Sequence, residues 1–244
     1  MLTTLSAIVA DNKHRRDTLG YFPALYRQVT LRVKDGIDQG LFDNGPRMSR
    51  FDAAFANAYF TAYTHYRHNQ QTSRAWQFAF DCTASGQLII LQDLLLAINA
   101  HINLDLGVVT GSTFAPTQLD GFKNDFDRIN AILAALIPLA RKAIDEFSPG
   151  LAELDKVVDA PGAAEALEFS VETARDEAWR AAEVVAFLPM QARPLSILGI
   201  DSTAKLLARV VADPPEPAGS VVHHVRAVES NDVAAVINAL DNLA

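Results

Sequence analysis

The chain has 244 residues and a mass of 26.5 kDa; half of its residues are hydrophobic, its formal charge is −8 and its pI is near 5.2. That is enough chain for one sizeable core, and so acidic a protein lacks the basic footprint that draws phosphate backbones and anionic bilayers, so neither nucleic acid nor membrane is expected as a partner. Cys82 is the single cysteine, which excludes an intrachain disulfide and a multi-cysteine metal site and leaves a small buried thiol as its reading.

The opening run Met1 to Ala10 has no basic start, and no window reaches about 18 uninterrupted apolar residues, so a soluble cytoplasmic protein is expected. Strand-like alternation is nearly absent, whereas Ala- and Leu-rich segments repeat at three and four residues, which predicts an all-α, single-domain bundle. A first helix spans Pro23 to about Lys34, loosened at its end by Asp35 and Gly36. After "DNGPRMS" a second carries Phe51, Phe55, Tyr59 and Tyr63 until "HNQQTS" interrupts it. Ser73 caps a short third piece around Trp76 and Phe80. The fourth helix, about 86–105, is closed by Gly107 and "GSTFAP".

A fifth helix begins between Pro116 and Asp120 and carries Leu119, Phe122, Phe126, Ile129, Leu133 and Leu136 on one stripe, with a kink expected at Pro138 and an end at "SPG". The sixth runs from Ala163 to Leu188 and the seventh from Thr203 to Val211. "DPPEPAG" reads as a linker, followed by a last helix from Asn231 to Leu240 capped by Ser230. The expected organisation is therefore a helical domain over 1–212 and a Pro-rich linker plus helix over 213–244, packed on the same domain.

The fourth helix is the informative one. In "LLLAINAHINLDLGVV" no broad charged face is left for solvent, so the helix should be enclosed on all sides and central to the bundle. Yet His101 and Asp105 project on one side of it, and Gln92, Asn99 and Asn103 nearly opposite. A buried amide or carboxylate without a partner costs on the order of 1 to 3 kcal/mol, so neighbouring helices must answer these groups. Arg175 lies mid-face on the sixth helix, flanked by Glu168, Glu172 and Trp179, and cannot shed its charge. The fifth helix offers Lys123, Asp127 and Asn130. Pairing of Arg175 with Asp105 or Asp127 is expected.

"NAHINLDLG", "DFDRIN" and "ARDEAWRAAE", with the earlier "LYRQVTLRV", "GLFDN" and "RFDAAFANAYFTAY", resemble an uncharacterised, mostly bacterial domain-of-unknown-function family, number 5995, over roughly Tyr21 to Pro189. The resemblance implies a helical domain and a core constellation of Asn99, His101, Asn103, Asp105, Asp127, Asn130, Arg175 and Trp179. It implies no reaction.

His101 and Asp105, four apart on a helix, can form an acid–base pair in which the carboxylate orients an imidazole that moves protons near neutral pH. The same pair also reads as a satisfied core histidine within a structural polar network that fixes helix register. His101, Asp105, Asp127 and Glu172 admit a metal, but the Glu-x-x-His pairs of di-iron bundles and the motif His-Glu-x-x-His are absent. His65 and His68 in "HYRH" have chelating spacing at a fraying helix end, where a solvated face is the simpler reading, and the adjacent His223 and His224 diverge. "NDFDRIN" has only a superficial likeness to the acidic helices of terpene cyclases. No nucleophile elbow, P-loop or dinucleotide fingerprint is present.

The leading expectation is a cofactor-independent small-molecule enzyme of isomerase, cyclase or lyase type, without a metal, with a pocket between helices four, five and six. His101 is its acid or base, Asp105 orients it, and Arg175 holds an anionic or carbonyl oxygen. Asn99, Asn103, Asp127, Asn130, Trp179 and Tyr59 line the substrate. The alternatives are a non-catalytic binding or scaffold module and a metal-dependent hydrolase. A small-molecule substrate is the expected partner, on a monomer or homodimer.

Overall fold

The computed structural model describes residues 1–158 and 171–243, and among them every regular element is helical. The helices are α1 (Leu2–Arg15), α2 (Tyr21–Asp38), α3 (Gly45–Arg67), α4 (Arg74–Ala84), α5 (Ile90–Thr113), α6 (Pro116–Asp145), α7 (Leu151–Val158), α8 (described from Val171 to Phe187), α9 (Arg193–Ala212), α10 (Ala218–Val228) and α11 (Val233–Leu240). The predicted all-α bundle is what forms.

Helix α5 is the axis. It packs on α2, α4, α8 and α9, and only Ser112 and Thr113 along it are exposed. By length and apolarity it could cross a membrane, but here it is the enclosed core helix of the fold. Its start lies at Ile90 rather than Gly86, and Gly107 does not end it. Gly107 and Gly111 lie one turn apart against α8, where an added Cβ would fall 2.8 Å from the Ala178 carbonyl and 2.4 Å from that of Ala182. These glycines let two helix backbones touch. The alanines of α8 supply the matching flat face, with Ala178 and Ala182 fully enclosed.

Several boundaries differ from the sequence expectations for local reasons. The opening run forms a helix, α1, beyond those expected from the sequence, with Leu5, Val9 and Asn12 at helical spacing and buried. Helix α2 continues through Gly36, which the Leu41 and Phe42 side chains cover. At α3 the Asn44 side chain accepts from the Arg47 amide, and at α4 Ser73 caps as predicted by accepting from Trp76. Helix α6 passes through Pro138 to Asp145, and α9 begins well before Thr203. The expected start of the sixth helix at Ala163, and Glu168 with it, lie outside the described residues.

"DPPEPAG" is a short turn into α10, a helix beyond those expected from the sequence, and α11 is capped by Asp232 accepting from the Ala235 amide rather than by Ser230. Both terminal helices are built into the core. Val225, Val236, Ile237 and Leu240 share one apolar cluster with Val9, Tyr21, Ala24, Ile89 and Ile90. Arg27 on α2 holds Asp241 in an ion pair at 2.5 Å, and Gln28 donates to the Asp241 carbonyl.

Candidate functional site

Midway along α5 the backbone widens into a π-helical segment, His101–Leu106, which coincides with the polar stretch "HINLDL". Such segments re-aim side chains relative to the surrounding α-helical phase and recur at functional sites. Here Nδ1 of His101 lies 3.1 Å from Oδ2 of Asp105, and the same carboxylate oxygen accepts from the Trp76 indole nitrogen at 2.9 Å. The imidazole stacks flat on Phe55, with ring centroids 3.8 Å apart and planes 9° from parallel, and Tyr26 meets it edge-on at 4.6 Å. Helices α2, α3 and α4 thus fix the ring and its carboxylate from three sides.

Burial pushes the His101 pKa below that of a free imidazole, opposed by the hydrogen bond and charge of Asp105. Burial raises Asp105, opposed by its bonds to His101 and Trp76. The ring is therefore neutral near pH 7. With a carboxylate facing Nδ1, that nitrogen carries the proton and Nε2 presents a lone pair. Nε2 is buried and has no hydrogen-bond partner among the described residues, and the same holds for the Tyr59 hydroxyl. Tyr26 and Thr30 bring their hydroxyls near each other but outside hydrogen-bonding geometry.

Two of these residues, His101 and Tyr26, line a cavity of about 110 Å³ between α2, α3, α5, α6 and α8. Its walls are almost wholly apolar, with His101, Tyr26, Asp52 and Arg175 as the polar exceptions. Burial raises the Asp52 carboxyl to about 7, so near neutrality it is a proton donor as readily as an anion. Tyr26 is pushed well above an ordinary phenol, first by burial and then by the Asp52 carboxylate. A second, wider groove of about 510 Å³ adjoins the cavity, sharing Leu25, Ile98, Leu133, Ile137, Ala140 and Val171 with it.

Arg175 reaches this cavity but not the expected partners. Its Nε donates to Asn130 Oδ1 at 2.5 Å, its Nη2 donates to the Phe126 carbonyl, and its guanidinium carbon lies 4.3 Å from the centre of the Phe126 ring. Among the described residues it forms no ion pair. Asp105 is taken by His101 and Trp76, and Asp127 turns outward to Lys123 at 2.5 Å. Burial lowers the Arg175 pKa to about 10, which leaves it charged at neutrality.

The remaining expected site residues separate into two groups. Asn130 and Tyr59 do converge on the region, through Arg175 and through the rings around His101. Asn99 and Asn103 do not, because the opposite strip of α5 faces α9. Asn99 donates to the Ala204 carbonyl, Asn103 donates to Asn99, and Gln92 donates to the carbonyls of Val211 and Ala212. Trp179 packs on Phe126, with its indole nitrogen on Glu183, away from the cavity lining.

Among the described residues no set of three or more His, Cys, Asp or Glu is disposed to hold a metal ion. Asp127 and Glu172 are not gathered around His101. His65 and His68 are tied to the carbonyls of Gln71 and Thr64, while His223 and His224 are exposed. Cys82 is half-buried rather than enclosed, and burial raises its thiol pKa.

Sequence reasoning overlooked Asp52, Tyr26 and the role of Trp76. Asp52 was legible, since it lies in phase with Met48, Phe51, Phe55 and Tyr59 on the inward face of α3. Of the two aspartates in "DFDRIN", Asp127 is partly exposed on Lys123. Asp125 is the enclosed one, accepting from the amides of Asp43 and Asn44 and from Arg47, and it anchors the loop before α3.

No curated protein and no solved structure matches the chain. A model described as a family of unknown function, DUF5995, matches residues 1–214, so the chain belongs to that family.

Proposed function

We propose that the protein is a small-molecule enzyme that performs acid–base chemistry, of the isomerase, cyclase or lyase kind, in the cavity beside His101. One observation carries this reading: a neutral imidazole, oriented through Nδ1 by Asp105, leaves Nε2 without a partner among the described residues at the edge of an apolar cavity. An unpaired buried acceptor costs on the order of 1 to 3 kcal/mol, so its retention beside a void needs a reason, and a substrate proton supplies one. In this scheme Nε2 takes a proton from the bound molecule, Asp105 stabilises the imidazolium that forms, and Asp52 or Tyr26 returns a proton elsewhere. Arg175 holds an oxygen of the substrate. The chemistry asks for no activated nucleophile. The pocket lies between α2, α3, α5, α6 and α8, so α2 and α3 contribute as much as the helices first expected.

Binding without turnover is the second reading, favoured by the enclosure of Nε2, which places it under rings of Phe55 and Tyr26. Solvent-proton exchange separates the two. The protein, incubated in heavy water with an extract of small metabolites, should place deuterium at carbon in one bound compound, detected by mass spectrometry. His101→Gln should abolish that exchange while far-ultraviolet circular dichroism stays unchanged. Exchange that survives in a folded His101→Gln protein ends the catalytic assignment.

A further inference from the structure

We infer that the molecule this pocket takes is an amphipathic monocarboxylate, with a hydrocarbon body lying along the groove and its carboxylate against Arg175. The inference rests on the pocket proposed above but not on its catalysis. Arg175 is 3% exposed, and its partners among the described residues are all neutral: an amide oxygen, a main-chain carbonyl and an aromatic ring. The charges of Asp127 and Asp176 act on it without direct contact, and burial still outweighs them, so a buried guanidinium hydrogen-bonded only to neutral groups is costly. Two of its nitrogens are committed to Asn130 and Phe126. Among the described residues the third, Nη1, makes no hydrogen bond, and it is the donor assigned to the ligand.

The rest of the lining defines the body of that ligand. From the cavity at His101 the walls continue through Leu25, Ile98, Leu133, Ile137 and Ala140 into the wider groove, where Leu91, Leu94 and Ile144 extend them. Polar side chains recur at the groove's outer part, where Arg141 and Glu172 line it. A room of about 110 Å³ admits a carboxylate and a few methylenes, given that one water occupies about 30 Å³ of liquid. The groove accommodates the remainder of a chain. Charge narrows the class further. One guanidinium neutralises one negative charge, so a dianionic phosphate would bury an uncompensated charge, and a neutral hydrocarbon would leave the guanidinium as it is.

Calorimetric titration of the full chain with octanoate and dodecanoate, the primary alcohols of the same lengths, and acetate tests this directly. The long carboxylates should bind at least about tenfold more tightly than their alcohols, and acetate should not bind measurably. Arg175→Met should erase the preference, leaving acid and alcohol equal. Leu133→Trp, which fills the groove without touching the charge, should weaken both and serves if Arg175→Met does not fold. Equal affinity of acid and alcohol for the unaltered protein overturns the inference, as does a preference that survives Arg175→Met or binding untouched by Leu133→Trp. Absence of binding by every long-chain compound overturns it too. Loss of this inference leaves the deuterium exchange at His101 to be judged by its own result.

Discussion

The Trp76 indole nitrogen donates to Oδ2 of Asp105 at 2.9 Å, on the very oxygen that orients His101. Helix α4 therefore holds the carboxylate in place of the arginine that the sequence proposed. Replacing Trp76 by Phe removes one of the bonds that hold the buried Asp105 charge, so its pKa, already raised by burial, rises further. The variant should lose about 1 to 3 kcal/mol of stability by denaturant titration, and the His101 ring should show altered nitrogen shifts in NMR spectra. Unchanged shifts would show that Trp76 contributes packing alone.

Gly111 sits where an alanine Cβ would lie 2.4 Å from the Ala182 carbonyl and 2.8 Å from the Val185 side chain. Backbone cannot yield as the end of a flexible side chain can. Gly111→Ala should push α8 from α5 and cost roughly 2 to 4 kcal/mol, visible as a markedly lowered melting temperature. Because Arg175 rides on α8, long-chain carboxylate binding should weaken with it.

Asp52 makes the fold sensitive to pH in a defined direction. Its carboxyl titrates at about 7 in the folded chain, raised by burial from an ordinary value near 3.8. The folded state thus holds a proton that the unfolded state has released, so stability is highest below about pH 4 on this account and falls as pH rises toward 7. Asp52→Asn should flatten this slope and stabilise the protein by roughly 1 to 3 kcal/mol above pH 7, measured by denaturation across the range. A slope of unchanged steepness would assign the pH dependence to another group, such as Asp93, which burial also raises.

Glu229 lies beyond the residues that the family model matches, and it caps the central helix. Its two carboxylate oxygens accept from the Ile90 amide at 3.1 and 3.0 Å, and Ser148 donates to it. The residue before the helix is Ile89, which has no side-chain acceptor to offer. Glu229→Ala should cost about 1 to 2 kcal/mol, and removal of residues 215–244 considerably more, since Val225, Val236, Ile237 and Leu240 leave the core together. Chemical denaturation of both variants checks the order.

By itself the sequence determined the helical class, the enclosure of α5, and the pairing of His101 with Asp105, because each depends on periodicity within one helix. It also carried the family resemblance. Only the tertiary structure decided which side of that helix faces a cavity and which faces α9, so Asn99 and Asn103 fell to helix packing while Asp52, Tyr26 and Trp76 joined the imidazole. Local spacing fixes the direction of a side chain but not what stands opposite it. Gly107 shows the same limit: a glycine reads as a helix end in isolation, and becomes a contact point when a second backbone approaches within reach of its missing Cβ. Arg175 found an amide, a carbonyl and a ring rather than a carboxylate, since long-range geometry chooses partners from several helices at once.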